Sequence, residues 1–156
     1  MGTRSLTRVF STYKDEKKNK QVKIQLVNMY RQYDGYPEGH GTELADFLNS
    51  GKVVNGIGID EQQRVFNGAG CLSAQMIAHF KKGAGGIYIE PITAKDCGQE
   101  YEYEIIVDFD TKEVTLKCID IGYIDGKGNY KNGKKTLFEG KPSDFEQFLQ
   151  KMAEKK

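Results

Sequence analysis

The chain is short of the residue groupings that announce most site chemistry. Its three cysteines, Cys71, Cys97 and Cys118, are odd in number and widely spaced, with no CxxC pair and only two histidines beside them. That pattern argues against a zinc site or a disulfide framework, so no metal is expected, and a reducing cytoplasm is the expected compartment. Charge of one sign is lacking as well, since 23 basic against 22 acidic residues leave a formal net charge of +1. No global field steers such a chain to nucleic acid or to an anionic membrane, and any anion it takes must be bound locally. No stretch approaches the roughly 20 apolar residues that span a bilayer, and the opening MGTRS has no apolar h-region. Leu6 stands where a myristoylation signal wants Ser or Thr. Cofactor fingerprints are missing too. Gly83, Gly85 and Gly86 lack the GK[ST] ending of a P-loop, and Gly35, Gly39 and Gly41 do not have the dinucleotide spacing, so no cofactor is expected.

What is present is a chain of 156 residues, long enough to bury a core without metal or disulfide staples. Residues 3–12 alternate in the period of a strand, and residues 13–21 read as an exposed charged turn. A second strand runs from Val22 to Met29, covered on both faces or carrying a bulge. Leu44, Phe47 and Leu48 have helical spacing over residues 42–50, with Gly51 as the stop. Residues 52–63 show no period and read as a loop. Leu72, Met76, Ile77 and Phe80 mark a helix over 71–82. Four strands are expected after it, at 87–92, 100–110, 113–121 and 135–139. In the second of these, Tyr101, Tyr103, Ile105, Val107 and Phe109 alternate with Glu102, Glu104, Ile106 and Asp108, giving one buried and one mainly wet face. Residues 110–112 make a tight hairpin and 125–134 a more mobile turn. A C-terminal helix starts at Pro142 and Ser143, and residues 151–156 read as a frayed tail. The expected fold is α+β: a single domain, 1–156, with a mainly antiparallel sheet and about three helices packed on it.

Residues 29–42, MYRQYDGYPEGHGT, join the second strand to the first helix and hold the candidate site. Arg31 and Tyr33 share a face if the strand persists that far, and together can grip an anion by the guanidinium fork and the phenol. Asp34-Gly35 and Tyr36-Pro37 force a turn. Gly39, His40 and Gly41 then lie where free backbone N–H groups and the helix dipole favour a negative ligand. Asn67, Gly68 and Gly70 place a similar junction ahead of the second helix, and two junctions would suit a ligand with two anionic groups. The expected ligand set is Arg4, Arg31, Tyr33, Asp34, Tyr36, His40, Gly41, Asn67 and Gly68. Plainer readings stand beside this one. The glycines serve turn geometry, Arg31 pairs with Asp34 or Glu38 at the surface, and the tyrosines form a half-buried lid. His40 is then a hydrogen-bonded turn residue, and His79, at the edge of a helical stripe, is structural. Cys71 opens a helix without a base beside it. Glu102, Glu104 and Asp108 face solvent unless a basic partner meets them.

MGTRSLT (residues 1–7), the 29–41 run and FNGAGCLSAQ (residues 66–75) together resemble a small family of proteins seen in bacteria and their phages. The resemblance covers the N-terminal half. It implies a recurrent domain in a phage or phage-exposed bacterial setting, and so a place in phage–host conflict, but no assigned activity. Three function classes follow from the residues. The favoured one is a non-enzymatic module that binds a small anionic ligand such as a nucleotide. The second is an inhibitor or adaptor that docks on a protein partner. The third is a small hydrolase or transferase with His40 as acid or base, oriented by Asp34 or Glu38, which lacks a complete nucleophile, base and orienter set. A homo-oligomer is compatible with all three.

Overall fold

The computed structural model describes residues 2–56, 64–124, 126–131 and 133–155. Strands β1 (Ser5–Asp15) and β2 (Lys20–Arg31) form a long antiparallel hairpin. The turn between them is shorter than expected, because residues 13–15 and 20–21 stay in the ladder and only 16–19 turn, with Asn19 in the left-handed region at φ 47°. The register slips between Val9 and Phe10, which pair with Val27 and Gln25, so Leu26 is the extra residue of the expected bulge.

Helix α1 (Thr42–Asn49) follows a single π-helical turn at Pro37–Gly41. Strand β3 (Gly51–Val54) pairs in parallel with β4 (Arg64–Asn67), where a loop was expected over 52–63. Four-residue strands are too short to show a period, and their pairing is set by distant partners. The rest of that loop, 57–63, lies outside the described residues. Helix α2 (Gly68–Phe80) begins three residues earlier than its apolar stripe suggests and takes in the glycine junction. Strand β5 (Ile87–Ile89) is short and pairs with the end of β2. Then come β6 (Tyr101–Asp108), β7 (Val114–Asp120), the two-residue pair β8 (Tyr123–Ile124) and β9 (Tyr130–Lys131), and β10 (Lys135–Gly140). Helix α3 (Phe145–Glu154) closes the chain and includes the first four residues of the expected tail.

The main sheet has the order β10-β7-β6-β1-β2-β5, antiparallel throughout except for the central parallel pair β1 and β6. The fold is therefore α+β with a mainly antiparallel mixed sheet, a small second sheet and three helices. One face carries the helices. Val9, Met29, Ile105, Leu116 and Cys118 from the sheet meet Leu44, Phe47, Leu72, Met76 and Phe145 from the helices in one core. Each such side chain contributes about 1.5–3 kcal/mol by leaving water. No helix among the described residues is long and apolar enough to cross a membrane.

The second face is not the wet one expected. To start β6 beside β1, the chain leaves β5 at the sheet edge and crosses β2 and β1 with residues 90–100. Asn28 Nδ2 holds this strap by the carbonyls of Pro91 and Ala94, at 3.2 and 3.1 Å. Arg8 beneath it pairs with Glu102 at 2.7 Å, and Gln99 Nε2 donates to the other Glu102 oxygen at 2.9 Å. Glu102 is thus buried, the opposite of the solvated carboxylate expected, because Arg8 supplies the basic partner. Phe109 is also reversed. It lies past the end of β6 and is 51% exposed, with the Lys112 ammonium 4.4 Å from its ring centroid.

Candidate functional site

The run after β2 folds by close backbone approach. Pro37 keeps Tyr36 extended, at φ −70° and ψ 162°, and Asp34 turns the chain in the left-handed region at φ 56°. The Asp34 carbonyl accepts the His40 N–H at 2.8 Å, which requires glycine at 39, since a Cβ there would stand 2.5 Å from that oxygen. Gly41 is packed as tightly: a Cβ would stand 2.8 Å from the Phe145 ring. The glycines of this run therefore serve geometry. The N–H groups of Gly39 and Gly41 bond to the Tyr36 carbonyl, and that of Thr42 to the carbonyls of Pro37 and Gly39. The anion-accepting junction expected before α1 is closed by its own backbone.

His40 is fully buried, between the edges of Phe80 and Tyr103 with ring centroids at 5.1 and 5.4 Å. Its Nδ1 lies 2.8 Å from Arg31 Nη1, and its Nε2 lies 3.0 Å from Thr7 Oγ1. A guanidinium only donates, so Nδ1 must be the acceptor, and the ring is neutral with its proton on Nε2. Burial, and after it the charge of Arg31, holds its pKa well below the usual histidine value. The acid-base trio of the enzyme reading does not assemble. Asp34 and Glu38 are exposed, and the ring's bonds go to Thr7 and Arg31 instead.

Arg31 is held at three points: Nε donates to the Tyr33 carbonyl at 2.8 Å, and Nη1 donates to His40 and to the Glu43 carboxylate. The surface pairing with Asp34 or Glu38 is replaced by Glu43, on α1. The Tyr33 ring centroid lies 5.4 Å from the guanidinium carbon. Among the described residues, Nη2 has no partner.

Arg31 lines a cavity of about 320 Å³ between α1, the end of α2 and β5. Glu43 and Asp46 line it from α1, His79, Phe80 and Lys82 from α2 and just beyond, and Tyr33 and Ile87 complete the wall. His79, expected to be structural, is exposed here against Phe47 and Phe80, with centroids at 5.1 and 4.9 Å. Its pKa is lowered by burial first, then by Arg64 and Lys82, while Glu43 opposes the shift. The spacing of Glu43 and Asp46, three apart on one helix, was the signal available for this wall.

Of the expected ligand set, only Arg31 and Tyr33 line this cavity. Asp34 and Tyr36 are exposed on the turn, while His40 and Gly41 lie beneath it, buried. Arg4 is on the second face of the sheet, in a separate recess with Tyr30 and Gln32, its guanidinium against Gly98 of the strap. Asn67 and Gly68 line a small recess with Ser11 and Val107 at the start of α2. The 13 residues of α2 put that recess about 20 Å from the Arg31 cavity, so Asn67 and Gly68 do not share a small ligand with Arg31. Cys118 is buried in the core, and that burial pushes its thiol up to about 12.

Comparison with protein-family models, with curated proteins and with solved structures finds no match.

Proposed function

We propose that this protein binds a small ligand without transforming it, and that an acidic group of the ligand sits on Arg31. The observation that carries the reading is the state of that side chain. Three fixed bonds orient the guanidinium on a cavity wall while both N–H groups of Nη2 have no partner among the described residues. An arginine held in advance loses little freedom when the two N–H groups of Nη2 donate to a carboxylate or phosphate. A volume of about 320 Å³ lies within the range of small-molecule sites. Enzymatic use of His40 is disfavoured, because a buried imidazole with both nitrogens bonded has no proton-transfer route to the cavity.

One observation favours a second reading, a protein partner. Ile24, Leu26, Tyr88, Ile89 and Ile92, five of the exposed large apolar side chains, lie along β2, β5 and the first residues after β5, at one edge of the sheet. Native mass spectrometry of the protein as purified separates the readings. A retained small mass that disappears in Arg31→Lys supports the first. A co-purified protein chain lost on Ile89→Lys, with no small mass, supports the second.

A further inference from the structure

The cavity beside Arg31 is not an anion trap. Two cations, Arg31 and Lys82, and two carboxylates, Glu43 and Asp46, line it together. His79 lines it as well, its pKa lowered from the ordinary histidine value by burial first and then by Arg64 and Lys82. Glu43 bonds Nη1 of the same guanidinium whose Nη2 would take the ligand's acid. A ligand with negative charge alone would therefore sit beside a carboxylate, with a second one from Asp46 three residues along the same helix face. Glu43 is half-exposed and only its Oε2 is engaged, while the Asp46 carboxylate has no partner among the described residues. Both have acceptor capacity left over at the cavity wall. Opposite them, Phe80, Ile87 and Tyr33 offer an apolar and aromatic wall.

We infer that the ligand is a zwitterion of the α-amino-acid type, its acidic group on Arg31, its ammonium between Glu43 and Asp46, and its apolar side chain against Phe80 and Ile87. This rests on the proposed binding at Arg31 and adds the second charge. An ammonium there satisfies the carboxylates and removes the like-charge conflict that a simple anion would meet. Lys82 remains at the cavity margin as the second cation.

Three probes of one shape test the charge pattern: L-phenylalanine, N-acetyl-L-phenylalanine, which is only an anion, and L-phenylalaninamide, which is only a cation. Each is titrated into the full chain, followed by the backbone amide signals of Tyr33, Phe80 and Lys82. The expected result is that phenylalanine binds at least about tenfold more tightly than either relative. Asp46→Asn, at an exposed side chain with no bond to lose, should weaken phenylalanine and leave N-acetylphenylalanine unchanged or stronger. Equal or tighter binding of the N-acetyl form to the wild-type chain overturns the zwitterion while the acid-binding reading of Arg31 stands. If none of the three shifts these signals, the zwitterion of this shape is overturned, and the acid-binding reading of Arg31 is judged by adding inorganic phosphate and following the same signals.

Discussion

Arg31 Nη1 donates to Nδ1 of His40 at 2.8 Å, and that one bond ties the cavity wall to the buried side of the sheet. It can form only while the imidazole is neutral, because a protonated ring has no acceptor.

Stability should therefore depend on pH through His40. Its folded pKa lies below its unfolded value of about 6.5, so the unfolded chain binds the proton first. The stabilisation is complete above about pH 6.5 and is lost as pH falls from there toward the folded pKa, at up to about 1.4 kcal/mol per pH unit. His40→Asn keeps an acceptor near Nδ1 and does not titrate. Denaturant melts of both proteins between about pH 7.5 and 4.5 should show the wild type ahead at neutral pH and the gap narrowing with acid. Parallel pH profiles would mean that His40 is not held neutral.

Arg31→Ala should cost about 2–4 kcal/mol, because it leaves buried Nδ1 of His40 and the Tyr33 carbonyl without their donor. Arg31→Lys should lose less stability but still lose the fork. Chemical denaturation measures both, and an alanine variant as stable as the wild type would make the arginine a surface residue after all.

Two glycines should behave oppositely when replaced by alanine. Gly41→Ala drives a methyl into Phe145 and the Tyr103 hydroxyl, 2.8 and 3.2 Å away, and should destabilise by about 1–3 kcal/mol. Gly70, in the first turn of α2 with nothing within 4 Å, should gain up to about 1 kcal/mol as alanine. Thermal melts of the two variants give the comparison, and equal effects would contradict the packing described at Gly41.

Glu102→Ala strands the buried Arg8 guanidinium and should cost about 3–5 kcal/mol, with Glu102→Gln less severe. Amide exchange in residues 90–100 should rise in both variants, since Arg8 also holds the carbonyls of Ala94 and Lys95. Unchanged exchange would show that the strap is fixed some other way.

What could be read along the chain was what depends on neighbours in sequence. The stripe of Leu72 and Met76 and the alternation through Ile105 are local periods, and both end in the core. Pairings across long separations were hidden. Arg8 meets Glu102 across 94 positions, and only the crossing of residues 90–100 turns that strand face inward. At the site, Arg31 and Tyr33 were named on the condition that the strand ran on to Tyr33, but β2 ends at Arg31, and the ring comes beside the guanidinium through the bend that follows. Glu43, Asp46, His79 and Lys82 were not legible as a wall, because their convergence depends on how the ends of α1 and α2 meet β2. The glycines misled for a physical reason: close approach to Phe145 and to the Asp34 carbonyl demands the same residue type as an anion-binding turn.

The side-chain Nε–H signal of Arg31 offers the most direct measurement. Isotope-labelled wild-type protein is titrated with the heat-cleared small-molecule fraction of the cells that express it, and the signal is followed with the amides of Tyr33, Phe80 and Lys82. Binding at the cavity predicts that these four shift together and saturate, and that the three amides stay still in a folded Arg31→Lys variant. Shifts confined to Ile24, Ile89 and their neighbours on the sheet edge, or none at all, would contradict it.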